Sequence, residues 1–168
     1  MRQIFLAGVG IVIWASWATS NIAVAGDVKT VPLTLRVLVD GPPPCTVKGS
    51  DVDFGDVLIK AIDGTKYRKD APYTLNCANS VVNDLRMQLK GNTTLINGET
   101  VLSTGITGFG IRIENAADNS LFAIGENNWT PFNIGNQPQL KAVPVKESGV
   151  QLTASAFSGT LTMVVDYQ

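Results

Sequence analysis

Apolar and polar residues alternate along the last part of the chain. From residue 157 to 168, one face carries apolar side chains with one glycine among them, and the other face is polar apart from Val164. The members of the apolar face are Phe157, Gly159, Leu161, Met163, Val165 and Tyr167. A period of two residues is typical of a β-strand with one buried face. The pattern predicts a final strand over residues 157–167 that must be covered, either by the domain's own sheet or by another protein.

A second alternating run lies near the N-terminus. Its apolar members are Val31, Leu33, Leu35, Val37 and Val39, and Gly41 and three prolines follow. Consecutive prolines supply no backbone N–H groups and therefore stop a sheet ladder. The run is thus separated from the body of the chain that begins at Cys45. It is either the first strand of the domain's own sheet or an arm that pairs elsewhere.

The rest of the chain consists of short runs rich in β-branched and aromatic residues, separated by turn residues such as Asp63-Gly64 and Asn97-Gly98. The further predicted strands cover residues 45–47 with 52–54, 71–77, 85–89, 109–115 and 141–145. No long stretch has the periodicity of a helix. Several short strands with regular turn signals predict an all-β domain, either a sandwich or a barrel.

The first 25 residues have the pattern of a secretory signal peptide. A basic start at Arg2 precedes an uncharged apolar run over residues 4–17, and Ala23-Val24-Ala25 supplies the small residues of a cleavage site. The run is too short for a membrane anchor, and nothing after it is long and apolar enough to span a membrane. We expect a mature chain that begins at Gly26 and has no membrane span.

Charge and composition exclude several classes of function. Without Arg2, the 13 basic and 14 acidic residues of the chain leave a net charge of about −2, which does not favour nucleic acid. The chain has no histidine, so the usual base of serine and cysteine hydrolases is missing. We therefore expect no catalytic residues and no cofactor.

Two cysteines, Cys45 and Cys77, lie in the exported part, and an even number in an exported chain predicts one disulfide. Two cysteines without histidine do not make a usual zinc site. A loose acidic cluster is either a solvated turn or a calcium loop that lacks the later glutamate; its members are Asp51, Asp53, Asp56 and Asp63. Trp129 and Phe132 are either a sugar-binding platform or packing residues.

Several segments together resemble one known family. They are Pro43-Pro44-Cys45-Thr46-Val47, Val52-Asp53-Phe54-Gly55-Asp56-Val57, Tyr73-Thr74-Leu75-Asn76-Cys77, Gly108-Phe109-Gly110-Ile111-Arg112-Ile113 and the final stretch with its penultimate Tyr167. In this order the chain resembles the pilin subunits of bacterial chaperone–usher fimbriae, most of all the minor, adaptor-like subunits of type 1 and P pili. The resemblance covers essentially the whole mature chain.

The resemblance implies a fold and a mode of assembly. The fold would be an incomplete immunoglobulin-like β-sandwich (residues 42–168) that lacks its last strand, preceded by a donor-strand extension (residues 26–41). A periplasmic chaperone would lend a strand to the open groove, and at the outer-membrane usher the arm of a neighbouring pilin subunit would replace it, which is β-augmentation. The alternating run from Val31 to Val39 would be the donor strand. The apolar face from Phe157 to Tyr167 would form the groove edge.

The implied function is that of a structural fimbrial subunit, exported through the periplasm to the cell-surface fimbria and contributing to adhesion. An adaptor role is expected, with a major rod subunit or a tip-located glycan-binding module as alternatives. One departure concerns the arm: the family has a glycine within the alternating row, and Val37 stands nearest to that position. The register of the arm is therefore open.

Overall fold

The structure, a computed structural model, describes residues 43–168. The predicted signal peptide and the alternating run from Val31 to Val39 lie outside the described residues. The described part contains ten strands and one short 3-10 helix, Ile59–Ala61. The strands are β1 (Thr46–Gly49), β2 (Lys69–Asp70), β3 (Tyr73–Asn76), β4 (Asp84–Gly91), β5 (Thr93–Ile96), β6 (Glu99–Ser103), β7 (Phe109–Asn115), β8 (Trp129–Asn133), β9 (Leu140–Lys146) and β10 (Leu161–Tyr167).

The strands form three antiparallel groups. One sheet has the order β2-β9-β7-β6-β5, a second has the order β10-β4-β8, and β1 pairs with β3. The core lies between these layers and draws its buried side chains from several strands: Leu85, Met87 and Leu89 of β4, Leu102 of β6, Ile111 and Ile113 of β7, Phe132 of β8 and Val165 of β10. This is the all-β, incomplete immunoglobulin-like sandwich that the sequence predicts.

Strand β4 is the centre of its sheet, because it pairs with β10 on one side and β8 on the other. Leu85, Met87 and Leu89 point into the core and are almost fully buried, whereas Arg86 lies on the outer face. Burying each of the three core side chains contributes roughly 1.5–3 kcal/mol. The pairing with β4 therefore holds β10 against the core.

A buried ion pair braces the outer face of the five-stranded sheet. The Glu114 side chain is fully buried; it accepts a hydrogen bond from Arg68 Nε at 2.7 Å and another from Arg112. Burial raises the pKa of Glu114, but the hydrogen bonds and charges of Arg68 and Arg112 outweigh it, so the pKa lies below its usual value. The network ties the segment before β2 to β7.

The structure agrees with part of the predicted strand pattern. The prediction for residues 109–115 coincides with β7, and those for 71–77, 85–89 and 141–145 contain or lie within β3, β4 and β9. The predicted strand at 52–54 is wrong, because no ladder partner is present for it within residues 43–168. The last strand begins at Leu161 rather than Phe157, since Leu161 pairs with Gly91, where β4 ends.

The strands β2, β5, β6 and β8 were not predicted. Strands β5 and β6 form a hairpin around Asn97-Gly98, both with positive φ, and this two-residue turn was the available signal. Strand β8 contains Pro131, which disfavours a central strand. It is tolerated because β8 lies at the edge of its sheet.

Candidate strand-binding groove

Among the strands at the sheet edges of the described domain, β10 and β1 flank the same apolar space. Strand β10 pairs with β4 along one edge, and β1 pairs with β3 along one edge. Within residues 43–168 no strand pairs with the other edge of either. About half of the backbone N–H and C=O groups of such an edge point away from the sheet. The two edges therefore offer hydrogen-bonding groups to an additional strand.

An apolar groove of about 680 Å³ runs beside these two edges. Val47, Val52 and Phe54 line one wall, and the chain from Phe157 to Met163 lines the other. The floor is apolar and belongs to the opposite sheet and β4: Leu89, Leu102, Ile111, Ile113, Leu140 and Ala142. The groove thus exposes the side of the core that a complete sandwich would cover.

The structure places four of the six predicted groove residues in the wall. Phe157, Gly159, Leu161 and Met163 line the groove. Val165 is 6% exposed and belongs to the core, and Tyr167 packs against that core without lining the groove. The apolar face of the last strand is therefore divided between an open part and a part that the domain itself covers.

Gly159 lies close against the opposite sheet. A Cβ atom at this position would lie 2.7 Å from Leu102 Cδ2 and 3.2 Å from the backbone oxygen of Ser103. Gly91 meets the same region, since its Cβ atom would lie 2.8 Å from the Thr160 backbone oxygen. These close approaches explain a glycine within the apolar row of the last strand.

The wall on the β1 side includes residues that the sequence prediction of the groove left out. Val52 and Phe54 are half-buried while Asp53 between them is exposed, so the alternation of this segment was the available signal. Tyr73 of β3 also lines the groove, and its hydroxyl donates to the Pro138 backbone oxygen. Burial raises the pKa of Tyr73 to about 12.

A second cavity of about 790 Å³ lies beyond the end of the groove. It is lined by two segments, 52–59 and 152–157, together with Ile62, Ile106 and Phe109. Val52, Phe54 and Phe157 line both spaces. Phe157 therefore stands at the boundary between the groove and the second cavity.

The remaining candidate residues have structural roles. Cys45 and Cys77 form a disulfide, as predicted, and it joins the start of β1 to the end of β3. The carboxylate of Asp53 accepts the Gly55 N–H, and that of Asp63 accepts the N–H groups of Thr65 and Lys66. The backbone hydrogen bonds lower the pKa of Asp63 to about 2, and the one from Lys66 has the largest effect. Both carboxylates thus cap their own turns.

Trp129 and Phe132 do not form a common platform. Phe132 is buried in the core, and the Arg86 guanidinium lies over the Trp129 ring at 4.5 Å from its centroid. Arg86 also pairs with Asp166 of β10 at 2.7 Å. One face of the indole is therefore occupied by a residue of the protein's own sheet.

Comparison with known proteins gives the family of this architecture. A family model described as fimbrial protein matches residues 32–168. The chain belongs to the fimbrial protein family. It is 67% identical over 168 residues to the uncharacterized fimbrial-like protein YfcR of Escherichia coli strain K12, covering all of this chain and 97% of that one.

Solved structures give the same fold. The P pilus adaptor subunit PapF matches 75% of this chain and 97% of its own, with a TM-score of 0.53 and 26% identity. The P pilus rod subunit PapA matches 74% and 99%, with a TM-score of 0.50 and 22% identity, which is a likeness of fold alone. The chain is therefore a pilin-fold structural subunit of a surface fimbria of the chaperone–usher type, and not an enzyme. Within residues 43–168 no helix is long and apolar enough to cross a membrane.

Proposed function

We propose that this chain is a minor, adaptor-like subunit of a chaperone–usher fimbria that assembles by donor-strand exchange and contributes to adhesion through the fibre. The observation that carries the proposal is the apolar groove beside the unpaired edges of β1 and β10. Such a groove is complementary to an extended segment that supplies backbone hydrogen bonds on both sides and an apolar side chain at every second position.

The chain's own N-terminal run has the required pattern. In an extended conformation, the nine residues 31–39 would carry five aliphatic side chains on one face: Val31, Leu33, Leu35, Val37 and Val39. At about 3.3 Å per residue, nine residues span about 30 Å, whereas the seven residues of β10 span about 23 Å. The part of the arm that extends beyond β10 would lie beside the segment around Phe157 and Gly159, which lines the groove without belonging to β10.

An open groove explains the need for a chaperone. Exposed apolar core and unpaired strand edges favour aggregation unless another chain covers them. A periplasmic chaperone would cover the groove after export and removal of residues 1–25, and at an outer-membrane usher the arm of a neighbouring pilin would replace it. In turn, residues 26–41 of this chain would fill the groove of the subunit before it.

Two features support an adaptor over the alternatives. A tip adhesin usually carries no donor arm, whereas this chain has the alternating run from Val31 to Val39. The similarity to PapF, itself an adaptor subunit, reaches 26% identity, while the likeness to the rod subunit PapA is one of fold. A rod subunit would pair with its own copies and an adaptor would not.

The groove assignment is tested by filling the groove within one chain. In the self-complemented chain, the mature protein is followed after Gln168 by a two-residue turn and a second copy of residues 31–39, which then lies antiparallel to β10. We expect this chain to be soluble without a chaperone and to unfold in one cooperative transition. The control carries serine at the five aliphatic positions of the added segment. Equal behaviour of the two chains would refute the assignment.

The adaptor role is tested with purified chaperone complexes. We expect the complex of this chain not to polymerise with itself, and a form lacking residues 26–39 to bind the chaperone but not to be added beneath its predecessor. Spontaneous growth of homopolymers would assign the chain to the rod instead. Normal incorporation of the arm-less form would refute donor-strand exchange by this arm.

A further inference from the structure

The loop between β3 and β4, residues 77–83, exposes two adjacent valines. Val81 is 85% exposed and Val82 is 45% exposed, and Val81 is the most exposed of the large apolar side chains in the described domain. Single exposed apolar residues are common on protein surfaces. Two neighbours at the tip of one loop, without a covering element within residues 43–168, form an apolar projection that we call the valine tip.

Hydrogen bonds hold the valine tip in place. The Ser80 N–H donates to the Cys77 backbone oxygen at 2.9 Å, and the Ser80 hydroxyl donates to the Val82 backbone oxygen at 2.7 Å. The Ile134 N–H donates to the Asn83 backbone oxygen at 2.9 Å and fixes the far side of the loop. The valines are thus presented on a braced turn, which lowers the entropic cost of a contact there.

The valine tip lies at the end of the domain where the N-terminal arm is attached. Cys77, four residues before Val81, is bonded to Cys45, and the Cα atoms of the two cysteines are 4.1 Å apart. Only residues 40–44 separate the end of the alternating run at Val39 from Cys45, and three of them are prolines. Because a chain spans at most about 3.6 Å per residue, the six steps from Val39 to Cys45 cannot exceed about 22 Å.

These observations limit where the neighbouring subunit can be. A pilin whose groove holds residues 31–39 must place the end of that groove within reach of the short link, and therefore close to the disulfide and the valine tip. We propose that Val81 and Val82 contact the pilin domain that receives this chain's arm, and that this contact restricts the angle between successive subunits. The proposal rests on the donor-strand exchange proposed above.

The test joins two mature chains in tandem through a short turn and produces them with their chaperone. The arm of the second copy then fills the groove of the first copy, as in the self-complemented chain. The first copy carries the substitutions Val81→Asp and Val82→Asp, so that its peptides differ in mass from those of the second copy. These substitutions do not affect the proposed contact, because the arm of the first copy is not received by another domain. Hydrogen exchange is measured for residues 77–83 of the second copy and for the same residues of the self-complemented chain.

We expect exchange in the second copy's loop to be roughly fivefold slower than in the self-complemented chain, since about 1 kcal/mol of contact free energy changes an opening equilibrium by that factor. Moving the two substitutions to the second copy should abolish the protection. The matched control is Leu95→Asp in the second copy: Leu95 is 64% exposed on β5, outside the loop that carries the valine tip, and its change should leave the protection intact.

Equal exchange in the tandem and in the self-complemented chain would overturn the proposed contact. Protection that persists with aspartate at both positions would also overturn it, because the valines would then not be the contact. If the self-complemented chain shows no stabilisation over its serine control, donor-strand exchange itself is wrong. The stabilisation is measured in a separate experiment, so a failure of the valine contact is distinguished from a failure of donor-strand exchange.

Discussion

Phe157 packs edge-on against Phe109, with ring centroids 4.9 Å apart and ring planes at 83°. Phe157 also lies near Phe54, whose centroid is 6.0 Å away. Phe157 and Phe54 line both the groove and the second cavity, and Phe109 lines the second cavity. The aromatic cluster therefore closes the end of the groove where the last strand leaves its ladder with β4.

Replacing Phe157 by alanine is expected to join the groove to the second cavity. The change removes a half-buried ring and an edge-to-face pair, and we expect the self-complemented chain to lose about 2 kcal/mol of unfolding free energy. Urea unfolding measures the loss. Leu95→Ala, on an exposed side chain, is the control and should stay within about 0.5 kcal/mol of the parent. A Phe157→Ala chain as stable as the control would contradict the role of the ring.

Gly159 is expected to tolerate no side chain. Gly159→Ala brings a Cβ atom against Leu102 and the backbone oxygen of Ser103, so we expect a loss of about 1–2 kcal/mol in the self-complemented chain. The matched control is Gly135→Ala, because Gly135 lies outside the groove and the atom nearest to its Cβ atom would be Asn133 Oδ1, at 3.4 Å. Thermal unfolding of the two variants should differ by several degrees. Equal melting temperatures would show that the wall moves aside freely.

The two faces of β10 are expected to respond differently to a charge. Met163 lines the groove, whereas its neighbour Val164 points to the outer face of the same strand. Met163→Asp places a carboxylate where a complementing strand must pack, so the yield of chaperone complex from the periplasm should fall at least about tenfold. Val164→Asp should reduce it far less. Equal yields from the two variants would show that the chaperone does not bind in the groove.

The buried Glu114 predicts a pH-dependent part of the stability. Its pKa is lowered in the folded domain, so its contribution is complete above the pKa of the unfolded chain, near 4.5, and is lost as the pH falls through the lower folded value. Glu114→Gln leaves Arg68 without its anion and Arg112 with Glu99 alone, and should cost about 2 kcal/mol at pH 7. The difference from the parent should shrink at pH 3.

Urea unfolding of the self-complemented chain at pH 7 and pH 3 measures this difference. Glu99→Gln is the control, because Glu99 is 42% exposed and pairs only with Arg112, so its loss should cost less than about 1 kcal/mol. A Glu114→Gln penalty that is equal at both pH values would show that the charge of Glu114 contributes nothing.

The sequence predicts the fold class and one wall of the groove because both follow from local patterns. The period of two between Leu161 and Tyr167 places the apolar face of β10, and the two cysteines predict the disulfide that is present. The other wall follows from long-range packing. Val52 and Phe54 alternate like a strand, but their place opposite Phe157 depends on the whole sandwich.

The strand boundaries were predicted less well for a related reason. Residues 157–160 continue the alternation of β10, yet their partner strand β4 ends at Gly91, so the ladder stops at Leu161. Strand β8 contains Pro131, whose missing N–H is tolerated because β8 lies at the edge of its sheet. A local pattern shows that a segment can form a strand, whereas the presence of a neighbour decides whether it does.

The most direct test of the open groove is the soluble periplasmic yield of the full-length chain with and without its chaperone encoded alongside it. A form truncated after Gly159, which lacks β10, is measured in parallel. We predict soluble protein only with the chaperone, as a 1:1 complex that the truncation abolishes. A full-length chain that is soluble, monomeric and stable alone would contradict the open groove and show that the sandwich is complete.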